Sequence, residues 1–438
     1  MRARANPTPT KQRATDGSAL PFRLGTLVTY HTALGVPWPT FDELITRLEC
    51  LCRRDAIYWL ARLSLYVQTW ERVSDNKRDK VLRNYVMPDW AQAFNHWTRV
   101  YGDGFVFSRY HILWLMRQVF RFCPRKGQRI SVWDRGNLQE LGELLLMAND
   151  LAAFVEPKRL TGSLEVAANT MSALEMASPE HYHAHDLSRT RQIIDIAGRS
   201  SMAHLRQFHS KLEHLLGFTI ADYFDLTLTS CSIFLTCPIA QDPEAFTPPA
   251  LAVPLFRETS LDQNSVQVFL NSNSEDERYF RDQARNAPQS NADLTLFRER
   301  PLLSLESEFL PLDVAFLLEK AGRSLLWTAI KRSDDPKDRE ILIQHWGESF
   351  EEYVRTLLQE CLLHRGTYLR HPEFEDGTQA FDGCILEGKC LIAIETKANT
   401  IPSRLRKIEV LARGGLFQMA FPRDLAARKM GRVGVYEP

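Results

Sequence analysis

Ala380-Phe-Asp-Gly-Cys-Ile-Leu386, then Glu387-Gly388-Lys389, then Cys390-Leu-Ile-Ala-Ile-Glu-Thr-Lys397: two apolar runs joined by a short polar segment decide how the C-terminal part of this chain is read. Each run has the length of a strand, and the segment between them is short enough for a hairpin turn. With Glu387-Gly388 as a two-residue turn, Leu386 pairs with Lys389 and Asp382 with Ala393. Side chains alternate faces along a strand, so Asp382, Ala393, Glu395 and Lys397 then share one face. Asp382 and Glu395 become diagonal neighbours, with Cβ atoms about 7–8 Å apart. Two carboxylates at that separation, in otherwise apolar strands, can hold one hard cation. Magnesium suits them, because it takes oxygen ligands and keeps several waters. A turn one residue longer shifts this pairing.

The flanking sequence extends the pattern. Phe350, Val354, Leu357, Leu358 and Cys361 recur at the three-to-four spacing of a buried helical stripe, and Thr367-Tyr-Leu-Arg-His371 follows as a short strand. Beyond Lys397 the composition turns basic: from Asn399 to Pro438 there are eight Lys or Arg against three Asp or Glu. Arg404, Arg406, Lys407 and Arg413 open that segment, where a phosphate backbone would lie. Val433 to Tyr436 reads as a further strand.

At these residues the sequence resembles the PD-(D/E)XK, or restriction-endonuclease-like, nuclease superfamily. The matching pieces are Gly347-Glu-Ser-Phe-Glu351 on the helix, Phe381-Asp382, and Glu395-Thr-Lys397. The resemblance implies a core of αβββαβ order with a mixed sheet. It implies that Asp382 and Glu395, with the backbone carbonyl of Thr396, bind the catalytic Mg2+ (or Mn2+). It gives Lys397 the task of orienting or activating the attacking water, Glu351 a supporting acidic role, and Gln418 a polar site position on the following helix. One departure is Phe381, which stands where the family nominally has proline. The tripeptide alone carries no weight, since Asp75-Asn-Lys77, Glu156-Pro-Lys158 and Asp335-Pro-Lys337 also fit it without closing an apolar strand.

The resemblance covers about the last third of the chain. The expected class is α+β and multidomain: a basic, disordered tail over 1–20, a mostly α-helical region over 21–240, a linker and mixed region over 241–300, and the nuclease-like domain over 301–438. Thr40 is placed to cap a helix through Phe41, Leu44, Ile45 and Leu48. Helical patterns follow at 54–67, 110–122, 138–155, 164–176, 202–216 and 220–235, without the fixed period that names a repeat family, so a bundle or irregular solenoid is expected. His181-Tyr-His-Ala-His185-Asp186 lacks a second ligand group at fitting spacing and reads as a polar loop. Prolines 238, 243, 248, 249 and 254 make the clearest composition break. Beyond it a helix is expected over 275–285, one or two short strands within 294–305, and a helix capped by Asp313 that runs through Leu325.

Composition is that of an ordinary globular protein: 54 basic residues balance 54 acidic ones, so net charge neither supports nor excludes a nucleic-acid partner. Eight scattered cysteines without a CxxC pair or secretory signal point to reduced thiols in a cytoplasm, and Pro, Thr and Ser interrupt the longest charge-free runs, which argues against a membrane. No phosphate-binding P-loop, zinc-protease helix, serine-hydrolase elbow or dinucleotide fingerprint is present. The expected function is therefore a metal-dependent nuclease acting on nucleic acid, DNA rather than RNA, with the helical region binding a protein partner or signal, as in bacterial antiviral defence. The alternative is a nuclease fold that no longer cuts and works as a binding or assembly module through its helices.

Overall fold

The computed structural model describes residues 36–68, 85, 108–130, 135–152, 183–236, 253–257, 259–286, 294–306, 308–322, 324–362, 366–373, 377–387 and 390–394. Glu395, Thr396, Lys397, Arg404, Arg406, Lys407, Arg413 and Gln418 lie outside the described residues, as do the tail 1–20, the helix expected at 164–176 and the strand expected at 433–436.

The described part is mostly helical, with two small three-stranded sheets, an α+β layout. The helices are α1 (Phe41–Leu48), α2 (Arg53–Gln68), α3 (Arg109–Phe122), α4 (Arg135–Leu151), α5 (His183–Arg199), α6 (Ala203–Leu216) and α7 (Ile220–Thr236). They continue with α8 (Gln263–Ser272), α9 (Glu277–Asn286), α10 (Thr295–Glu299), α11 (Val314–Glu319), α12 (Leu325–Arg332) and α13 (Pro336–Leu362). The strands are β1 (Ser274–Glu275), β2 (Leu302–Leu305), β3 (Glu308–Pro311), β4 (Thr367–Arg370), β5 (Gly383–Glu387) and β6 (Cys390–Ile394). Thr40 opens α1 through a capping box: its hydroxyl accepts the Glu43 N–H at 3.2 Å while Glu43 reaches back to the Thr40 N–H.

Two apolar cores divide the helices. One joins α1 to α4 with Phe280 of α9, Phe297 of α10 and Phe316 of α11. The other gathers α5 to α8 with α11, α12 and Leu342 of α13. The sheet β1-β2-β3 stands between them, and its side-chain alternation assigns each face: Leu303 and Leu310 enter the first core, Leu302 and Phe309 the second. At the same junction Asp313 is fully buried against Arg109, with Nε–Oδ2 at 2.6 Å and Nη2–Oδ1 at 2.7 Å. Asp313 also caps α11 by accepting the Phe316 N–H at 2.7 Å, while the Arg109 guanidinium lies 4.4 Å from the Phe316 ring centroid. No described helix is long and apolar enough to cross a membrane.

Several sequence expectations are corrected here. The helix capped by Asp313 ends at Glu319, and Leu325 begins a separate one. The 294–305 stretch holds a helix before its strand, α10 and then β2. The loop expected at 181–186 is helical from His183 onward. The boundary at 301 does not mark a change of packing: α8 and α9, from the expected linker, and β2, β3, α11 and α12, from the expected nuclease domain, fill the same two cores as the N-terminal helices. What stands beyond those cores is the second half of α13 and the sheet β4-β5-β6, whose described strands are all antiparallel.

Candidate active site

α13 is one unbroken helix of 27 residues that runs through Gly347 rather than starting there. Pro336 opens it, where a missing N–H costs nothing, and Asp335 accepts the Lys337 N–H at 2.9 Å. Its first half packs against α5, α6 and α12, and the helix also packs on β4. It therefore carries Glu351 and Glu352 from the helical cores to the small sheet.

Environment separates these two adjacent carboxyls. Glu352 lies against Arg355 and 3.6 Å from Arg370 of β4; the Arg355 hydrogen bond holds its pKa below the usual range. Glu351 is pushed the other way, first by burial and then by the negative charge of Asp382, with His371 opposing. Glu351 and Asp382, taken from the sequence as site residues, are thus brought together.

Asp382 sits at a bend immediately before β5, not within a strand as the sequence suggested. Its backbone carbonyl accepts the His371 N–H at 3.3 Å, and its Oδ1 accepts from Gln379 Nε2 at 3.3 Å. The β4–β5 connection closes on itself through the Glu373–Gln379 bridge and the Ala380 N–H to Pro372 carbonyl bond of 2.7 Å, with Gly377 at φ 78. Gly383 follows, and a Cβ there would fall 2.3 Å from Tyr368 Oη.

The hairpin register differs from the expected one. Glu387 pairs with Cys390 and Cys384 with Ala393, leaving Gly388-Lys389 between the paired ends instead of Glu387-Gly388. The shift is two positions, so the parity of the faces is kept, and Ala393 becomes a diagonal rather than a direct neighbour of position 382.

His371, next to this pair, was not singled out in the sequence. It ends β4 in the left-handed region at φ 43, its Nδ1 is buried without a hydrogen-bond partner, and its charge acts on Glu351. A non-glycine residue held there costs about 1–3 kcal/mol, and such strain clusters at functional sites. Only its position at the end of a strand, beside an acid-bearing loop, could have drawn attention in the sequence. Comparison with protein-family models, curated proteins and solved structures finds no match to this chain.

Proposed function

We propose that this chain is a metal-dependent nuclease of the PD-(D/E)XK kind that hydrolyses phosphodiester bonds of nucleic acid, DNA in preference to RNA. Its helical region would receive the partner or signal of a bacterial defence effector. The observation that carries the reading is that Asp382, before β5, lies near enough to Glu351 on α13 for its charge to push the Glu351 pKa up, in a helix followed by an antiparallel three-strand meander.

The residues fit a hard divalent cation. Two carboxylates share a partly buried place where burial and mutual repulsion already raise one pKa, and both penalties fall when a cation is held between them. Asp382, Glu395 and the Thr396 carbonyl, with Glu351 in support, would hold Mg2+ or Mn2+. When bound, it would supply Lewis-acid stabilisation of the scissile phosphate and a more acidic water. Lys397 would orient that water or offset charge in the transition state. Arg404, Arg406, Lys407, Arg413 and Gln418 would contact the nucleic acid beyond the site.

The test is incubation of wild type and the Asp382→Ala, Glu395→Ala and Lys397→Ala variants with single- and double-stranded DNA and RNA, with metal and with chelator. Cleavage by wild type should need Mg2+ or Mn2+ and vanish in both carboxylate variants, while Lys397→Ala keeps metal binding and loses most activity. A wild type inert on every substrate passes the reading to a non-cutting binding or assembly module.

A further inference from the structure

A second group of ligand-type side chains lies about one turn nearer the start of α13, and its chemistry is different. His345 and Glu348 stand three residues apart on α13, hence on neighbouring positions of one face. His204 comes to them from the first turn of α6. One ligand atom from each, two imidazole nitrogens and one carboxylate oxygen, fall within 4.8 Å of one another. His204 Nε2 is 2.7 Å from Glu348 Oε2, and the two imidazole centroids are 5.1 Å apart. Phe208, a turn further along α6, meets the His345 ring edge-on at 6.1 Å.

An interhelix ion pair accounts for His204 and Glu348 but not for His345. Its Nδ1 is buried and has no hydrogen-bond partner, the kind of orphan that native structures rarely leave without a use. Two imidazoles this close cannot both carry a proton without repulsion, whereas both can offer a lone pair to one cation. Two histidines and a glutamate, with a fourth position left for water, form a known zinc ligand set. Imidazole donors at the same time disfavour magnesium.

We propose that His204, His345 and Glu348 form a zinc-binding site that clamps α6 to α13. Zinc–nitrogen bonds of about 2.0–2.1 Å in a tetrahedron bring donor atoms to roughly 3.4 Å apart. Separations of up to 4.8 Å must therefore close, by about 1.4 Å at most, while the 2.7 Å His204 Nε2–Glu348 Oε2 pair opens slightly, and the His204 and Glu348 side chains, 44% and 33% exposed, have room to turn. The exchange balances in either form of the ring: a neutral imidazole moves its Nε2 proton to Nδ1 through solvent, a protonated one releases it to solvent, and zinc takes the proton's place between His204 Nε2 and Glu348 Oε2. Gln344 Nε2, which donates to Glu348 Oε1 at 2.9 Å, would orient the carboxylate from outside the coordination shell. The site is independent of the nuclease reading, because it shares no ligand with the Glu351–Asp382 pair.

The experiment uses the full chain, without a histidine tag, stripped with chelator and titrated with Zn2+ and then Co2+. Saturable binding is expected, with the visible absorption of a tetrahedral cobalt complex, and excess Mg2+ should not displace it. His345→Gln and Glu348→Gln should each weaken binding by at least the ~10–100-fold that loss of even an outer-shell partner costs. His204→Gln, at a half-exposed position on the other helix, should do the same with helical circular dichroism unchanged. Replacing His181, His183 and His185 together by Ala should leave this binding as in wild type. Absence of saturable binding overturns the proposal. So does wild-type affinity in the folded His204 and Glu348 variants, or loss of binding in the triple variant.

Discussion

Asp313→Ala removes one partner from the most thoroughly buried ion pair described. Both side chains are almost wholly inaccessible, and the two bonds of 2.6 and 2.7 Å leave Arg109 committed to that carboxylate. Breaking a buried ion pair by removing one member typically costs about 3–5 kcal/mol. The same carboxylate is the N-cap of α11, and losing a cap costs about 0.5–2 kcal/mol. The two losses share one group and do not simply add, so a total of roughly 4–6 kcal/mol is expected, a large part of the ~5–15 kcal/mol that holds a typical protein folded. Urea unfolding followed by circular dichroism should show the midpoint collapse. Arg109→Met combined with Asp313→Ala should recover part of the loss, because it removes the buried guanidinium that has lost this carboxylate while leaving the cap missing. A single variant within about 1 kcal/mol of wild type, or a double variant no better than Asp313→Ala, would refute the reasoning.

Glu351 and Glu352 should respond to pH in opposite senses. The folded pKa of Glu351 lies above its ordinary value, so ionising it opposes folding. Metal-free Glu351→Gln should melt higher than wild type at neutral pH, with the advantage fading as pH falls through that raised pKa; a lower melting point at neutral pH would contradict this. Glu352 has a lowered folded pKa, so its contribution is present above the unfolded value and lost as pH falls through the folded one. Glu352→Gln should therefore destabilise at neutral pH and converge with wild type in acid. Gly383→Ala drives a methyl group to within 2.3 Å of Tyr368 Oη and should cost about 1–3 kcal/mol by overpacking. Because Asp382 is the next residue, metal binding should weaken with it, and unchanged calorimetric titration would argue against the tight approach.

What was legible in the sequence is what local rules encode. The Thr40–Glu43 box, the Asp313 cap, the apolar stripes of α2, α3, α6 and α7, and the two runs of the hairpin each declare themselves within a few residues. Side-chain parity survived the register error, because moving the turn by one residue changes the pairing by two. Illegible features depend on partners far along the chain. Arg109 and Asp313 are 204 positions apart, His204 and Glu348 are 144 apart, and the parallel pairing of Ser274 with Leu302 rests on two residues of strand. Composition is likewise silent on which core a segment fills: Phe269, Phe280 and Phe297, from the stretch expected as linker and mixed region, fill cores built largely upstream.

The continuity of α13 makes it a stiff lever arm, about 40 Å long for its 27 residues. Leu342, held in the second core, is a natural fulcrum, and Glu351 lies nine residues, roughly 13 Å, further along the axis. A tilt of about 10° about that point would swing the carboxylate by some ~2 Å, and a twist of one residue's worth, ~100°, would turn it away from Asp382 altogether. The alignment of the acidic pair is thus set by the angle at which this one helix leaves the second core.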